Sequence, residues 1–84
     1  MNYYEDEYIP KAERMKRTEE KVFKIINDYI AKYDRSPSVQ EIAKKASIPS
    51  KSTVFNYLIK LKEKGLITWE PKQQRTIKIL KTVS

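Results

Sequence analysis

The stretch Ser47–Ile67, SIPSKSTVFNYLIKLKEKGLI, gathers Ser47, Pro49, Ser50, Ser52 and Thr53 at its start and carries Gly65, the only glycine of the chain, near its end. Val54, Leu58 and Leu61 recur at spacings of four and three, which at about 100° per residue places them on one side of a helix. Ser52, Thr53, Asn56 and Lys60 fall on the opposite side. The pattern predicts a helix from near Ser52 to Lys64, capped at its start by Ser50 or Ser52. Gly65 stops it in the left-handed conformation, and Leu66 folds back as the apolar contact of that stop. Such a helix buries one side and keeps a polar first turn toward water.

Upstream, Ser38 and Glu41 in SVQE form the pattern in which a serine hydroxyl accepts from the third helical amide and the glutamate reaches back to the serine amide. A second, short helix begins there, with Val39, Ile42, Ala43 and Ala46 on its apolar face. The break ASIPS is too short to be a flexible linker, so it holds the second and third helices at a fixed angle. Before Pro37, which pushes Ser36 away from helical angles, Val22, Phe23, Ile26, Tyr29, Ile30 and Tyr33 trace one stripe of a first helix. Thr18 is its expected N-cap, followed by Glu19 and Glu20 at the positive end of the helix dipole. The preceding KAERMKR either forms a short amphipathic turn or extends this helix backwards.

Downstream of Gly65 the period changes to two. Ile67 and Trp69 lie on one strand, EPKQQ turns, and Ile77 and Ile79 alternate with Lys78 on the next. Pro71 suits a hairpin tip or strand end. The expected fold is mainly α with a small antiparallel β-hairpin: three helices plus a two-stranded wing, the winged helix-turn-helix arrangement. Residues 18–81 form that domain, and residues 1–17 form an acidic and aromatic arm.

Composition narrows the function. With 84 residues there is room for one domain. The net charge is +7, and because Glu5, Asp6 and Glu7 all precede Pro10, the body from Pro10 onward is more basic still. A small body this basic implies an anionic partner. No cysteine and no histidine are present, which removes disulfides, thiolate metal sites and the commonest general base. One glycine makes no phosphate-cradling loop. No enzyme activity, cofactor or metal is expected. No apolar run reaches the roughly 20 residues of a membrane span, and MNYYEDEY is acidic where a signal peptide is basic. The expected location is cytoplasmic, at the nucleoid, with no membrane partner.

A helix that enters the major groove of double-stranded DNA needs short donors and acceptors in its first turns. Ser52 and Thr53 meet that need, while Ser50 is better placed for a phosphate. Asn56 has the geometry to pair with adenine N6 and N7, and Phe55 to touch a thymine methyl. Lys51 and Lys60, with Lys72, Gln74 and Arg75 at the wing tip, are placed for phosphates, which fix register without reading sequence. The competing reading makes the hydroxyls simple caps, Phe55 core and the tip cations solvated. A second function class is a protein-interaction module that binds a partner protein through the arm NYYEDEYI. A third joins the two, with Tyr3, Tyr4, Tyr8 and Ile9 supplying a homodimer.

The ordered set SPSVQEIA, SKSTVFNYLIKLKEKGLI and RTIKIL, spanning about Lys16 to Leu80, resembles the N-terminal DNA-binding domain of LexA repressors. The resemblance implies that the helix starting at the serine-rich turn enters the major groove while the wing lies on the backbone. By motif it carries base contacts to Ser50, Ser52, Thr53, Phe55 and Asn56. Lys51, Phe55 and Asn56 depart from the residues usual at their positions, so the implied target need not be the family's usual operator. LexA proteins continue into a self-cleaving peptidase domain that also dimerises them. No cleavage site or Ser and Lys dyad is assignable in these 84 residues, so autoproteolysis is not expected of them.

Overall fold

Pro10 has extended angles, φ −53° and ψ 146°, and lets a helix start at the next residue. The computed structural model describes residues 10–70 and 72–81. Helix α1 spans Lys11–Tyr33, so it starts eight residues earlier than a Thr18 cap requires. Every residue from Lys11 to Arg17 is a good helix former and nothing among them breaks the ladder. A Glu13–Arg17 pair, 3.8 Å apart, adds a contact between successive turns. Thr18 lies inside the helix, its hydroxyl donating to the Arg14 carbonyl (2.9 Å). The backward extension of the first helix is the arrangement observed. The arm residues Tyr3, Tyr4, Tyr8 and Ile9 lie outside the described residues.

Helix α2 spans Val39–Ala46 and begins as its sequence dictates. Ser38 accepts from the Glu41 amide (3.1 Å), and Glu41 accepts from the Ser38 amide (2.9 Å). It ends at Ser47 in the left-handed region. Helix α3 spans Lys51–Glu63. Its stop is the double-bonded glycine motif: the Leu66 amide donates to Leu61 (3.1 Å) and the Gly65 amide to Lys62 (2.9 Å), with Gly65 at φ +75°.

The wing consists of β1 (Ile67–Thr68) and β2 (Lys78–Ile79), antiparallel, with Ile67 opposite Ile79 and Thr68 opposite Lys78. These strands are shorter than the alternation through Trp69 and Ile77 predicts. The reason is a side chain: the Glu70 amide donates to the Thr76 hydroxyl (2.8 Å), which takes the place of a backbone carbonyl and ends the ladder. The same hydroxyl lies within 3.3 Å of the Glu70 and Gln73 carbonyls and so ties up the tip.

Ile26 of α1, Ile42 of α2, Leu58 and Leu61 of α3 and Ile67 of β1 meet in the core, each essentially inaccessible to solvent. Two polar contacts orient the helices around it. Buried Glu19 of α1 pairs with Lys64 at the end of α3. Lys21 of α1 donates to the Ala46 carbonyl (3.3 Å), placing a cation at the negative end of α2. The fold is three helices and a two-stranded antiparallel hairpin, a winged helix-turn-helix. Among the described residues no helix is long and apolar enough to cross a membrane.

Candidate nucleic-acid interface

The face of α3 left free by the core is set by helical geometry. Val54, Tyr57, Leu58 and Leu61 are buried, so Ser52, Asn56, Ile59 and Glu63 form the outward stripe, and all four are exposed. Thr53 and Lys60 lie at one edge of that stripe and are half-buried; Lys51 and Phe55 lie at the other, exposed. Ser50 occupies the N-cap position with extended angles, yet its side chain makes no cap bond, and Ser52 already belongs to the first turn. The expected hydroxyl cap of this helix is therefore not formed. Its first amides keep their partial positive charge toward the outside.

The wing stands beside the Phe55 edge. Lys51 and Phe55 of α3, Pro37–Gln40 at the start of α2, and Trp69 with Lys72–Ile77 of the wing enclose a cleft of about 260 Å³. Trp69 is tied to α3 by Lys62, whose ammonium lies over its ring, 4.8 Å from the centroid. Lys72, Gln73 and Gln74 are exposed at the tip, on the same side of the molecule as the cleft.

Arg75 has a different place from the free tip cation expected of it. Its Nη1 lies 2.8 Å from Glu41 Oε1 and donates to the Tyr29 hydroxyl (3.1 Å) and to the Ser36 carbonyl (3.2 Å). Tyr29 in turn donates to the second oxygen of Glu41 (3.0 Å), and the Ile77 amide donates to the Ser36 hydroxyl (3.0 Å). Together these bonds fasten the base of the wing to α1 and to the start of α2. The Ser38 amide, with the Tyr29 and Arg75 hydrogen bonds behind it and partial burial opposing them, holds the Glu41 carboxyl down from 4.5 to about 2. Tyr29 and then Glu41 push Arg75 above its ordinary value. Arg75 is a residue that positions the wing, with its charge already partnered.

A polar, uncapped helix start and a fastened wing flank one cleft, and the chain order that builds them is matched along most of its length by one known family. The family model for the LexA DNA binding domain matches residues 12–76. This chain belongs to that family. It is similar to the LexA repressor of Acetivibrio thermocellus, 34% identical over 67 residues that make up 80% of this chain and 32% of the relative. To the LexA repressor of Moorella thermoacetica it is 50% identical over 44 residues, 52% of this chain and 22% of the relative. To that of Clostridium novyi it is 40% identical over 60 residues, 71% of this chain and 29% of the relative. The chain thus spans about a third or less of the length of these relatives.

Within this LexA-family domain the expected base-reading residues share one surface: Ser50, Ser52, Phe55 and Asn56 are exposed and Thr53 is at its edge. The expected phosphate residues divide. Lys51, Lys72 and Gln74 are exposed beside the cleft, Lys60 is half-buried on the far edge, and Arg75 is tied inward. Two features have weak or no local sequence signal. Ile59 sits in the middle of the outward stripe, visible on a helical wheel as its one apolar member. The Arg75–Glu41 contact joins residues 34 positions apart and has no local signal.

Proposed function

We propose that this domain is a sequence-specific binder of double-stranded DNA that regulates transcription by occupancy, without catalysing a reaction. The first turns of α3 enter the major groove, Asn56, Ser52 and Thr53 meet base edges, and Lys51, Lys72 and Gln74 hold phosphates on either side of the cleft. The observation that carries this reading is the absence of a side-chain cap on α3 together with the outward placement of Ser52 and Asn56 beside an exposed, cationic wing tip. Uncapped helical amides and lysines on one surface suit a polyanion. The relatives named as LexA repressors support the same function.

A second copy follows from size. One module of this kind buries only about 600–1,000 Å² on DNA, less than most tight specific complexes. Two copies on a symmetric site, joined through the arm residues Tyr3, Tyr4, Tyr8 and Ile9, are the proposed assembly. Selection of bound fragments from a random DNA pool tests both statements. An enriched site supports sequence reading, and a palindrome with half-sites about one helical turn apart supports the pair. A pool without enrichment overturns the function, and an enriched site lacking symmetry overturns the dimer alone. Removing residues 1–9 separates the arm's role: unchanged DNA affinity with unchanged self-association overturns its place in the dimer.

A further inference from the structure

Ile59 is the feature of the outward stripe that a polar reading head does not explain. It is 46% exposed, and Phe55, one turn earlier, is 36% exposed. The other large apolar residues open to solvent have local explanations. Tyr33 packs on Tyr29 with ring centroids 4.6 Å apart, and Leu80 is carried past β2, where its amide donates to the Leu66 carbonyl (2.8 Å). Phe55 and Ile59 are four residues apart on one helix, so their Cβ atoms are separated by about 6 Å. A pair of large apolar side chains held together in water is a contact surface awaiting a partner.

The surroundings select the partner. Ser52 and Asn56 lie on the same stripe, Lys51 beside Phe55, and Lys72 across the cleft. A protein surface laid over this face would have to cover the exposed Asn56 amide and lysine ammonium groups, which is costly unless each finds a new bond. The major-groove floor offers what the face requires: polar base edges interrupted by isolated methyl groups, one on each thymine. The stripe also has an end. Glu63, one turn beyond Ile59, is exposed and acidic, and phosphates repel it, so Ile59 is the last residue of the stripe able to lie in the groove.

We propose that Phe55 and Ile59 form an apolar reading strip that recognises the C5-methyl groups of two thymines, and that Ile59 extends base reading into the third turn of α3. The inference rests on the DNA-binding reading above and makes it specific. A rise of about 6 Å between the two side chains places the two methyl contacts roughly two base steps apart.

The test uses the site enriched by random-pool selection with the full chain, each thymine replaced singly by deoxyuridine, which removes only the methyl group. With the wild-type chain, affinity is expected to fall about fourfold at each of two positions, the worth of one buried methyl group. Ile59→Ala is expected to abolish the sensitivity at one of these positions and Phe55→Ala at the other, each leaving the opposite sensitivity in place. Ile59 is about half exposed and Phe55 about a third, so a retained cooperative thermal transition, lowered by at most a few degrees, serves as the folding control. Indifference of the wild type to uracil at every position overturns the inference and leaves sequence reading standing. A loss of self-association in Ile59→Ala, with uracil indifference, overturns it in favour of contact with a second copy. A pool with no enriched sequence overturns the underlying function and this inference with it.

Discussion

Replacing Asn56 and Lys72 in turn separates reading from holding. Asn56 is exposed on the outward stripe of α3, clear of the core, so Asn56→Ala is expected to change folding stability by no more than about 0.5 kcal/mol. In the proposed docking its amide donates and accepts toward one adenine, a pair worth about 1–3 kcal/mol of discrimination. By RT ln 10 this is a loss of about 5- to 150-fold in affinity for the selected duplex, with affinity for a scrambled duplex unchanged. Lys72 lies exposed at the wing tip and offers a charge without a shape. Lys72→Ala is therefore expected to weaken both duplexes alike and to reduce the slope of log K against log salt by about 0.9. Fluorescence anisotropy with both duplexes, across salt from roughly 50 to 200 mM, measures all of these quantities. If the two variants weaken both duplexes by the same factor and leave the same salt slope, the division of labour between helix and wing is refuted.

Gly65 occupies φ +75° and a Cβ there would meet nothing within 4 Å, so Gly65→Ala tests backbone strain alone. It is expected to cost about 1–2 kcal/mol, with roughly 4–8 °C of Tm for each kcal/mol, and Gly65→Asn to cost less. Ile26 is fully buried between the helices; Ile26→Ala should lower the unfolding free energy by about 2–5 kcal/mol in urea titration. Glu41 titrates at about 2 in the folded chain instead of 4.5. The charged carboxylate thus stabilises the fold fully above pH 4.5, and that contribution is lost as pH falls toward 2. The urea-midpoint difference between wild type and Glu41→Gln should accordingly be constant near neutrality and shrink between pH 4.5 and 2. Arg75→Ala should release the base of the wing, seen as faster amide exchange at Ile77, and the affinity effect of Lys72→Ala should be smaller in that background.

The parts of this fold legible in the sequence are those whose cause lies within a few residues. Ser38 and Glu41 announce a helix start because both bonds close within one turn, and Gly65 announces a stop because a left-handed residue ends the ladder whatever surrounds it. Helical spacing also located the core side of α3 and, by subtraction, most of its outward stripe. Thr18 misled because a good cap residue is not sufficient: KAERMKR propagates helix through it, and the end fell at Pro10. The wing strands were overread because a hydroxyl six residues away, on Thr76, replaces a ladder carbonyl for Glu70. The loop position of Arg75 suits a phosphate contact or a solvated charge, and nothing local reveals its ion pair. Its partners Glu41, Tyr29 and Ser36 come near only after the whole domain closes. Ile59 lies on the same helical-wheel sector as Asn56, and its spacing alone places it outward.

Titration of the ¹⁵N-labelled chain with its selected duplex, followed by amide chemical shifts, tests the docking surface most directly. The largest changes are expected from Ser50 to Asn56 and at Ile59 on α3, and from Lys72 to Gln74 on the wing. Lys24 and Asp28, paired with each other on the exposed side of α1, should stay in place. Shifts concentrated on α1, with Ser52 and Asn56 unmoved, would contradict the placement of α3 in the groove.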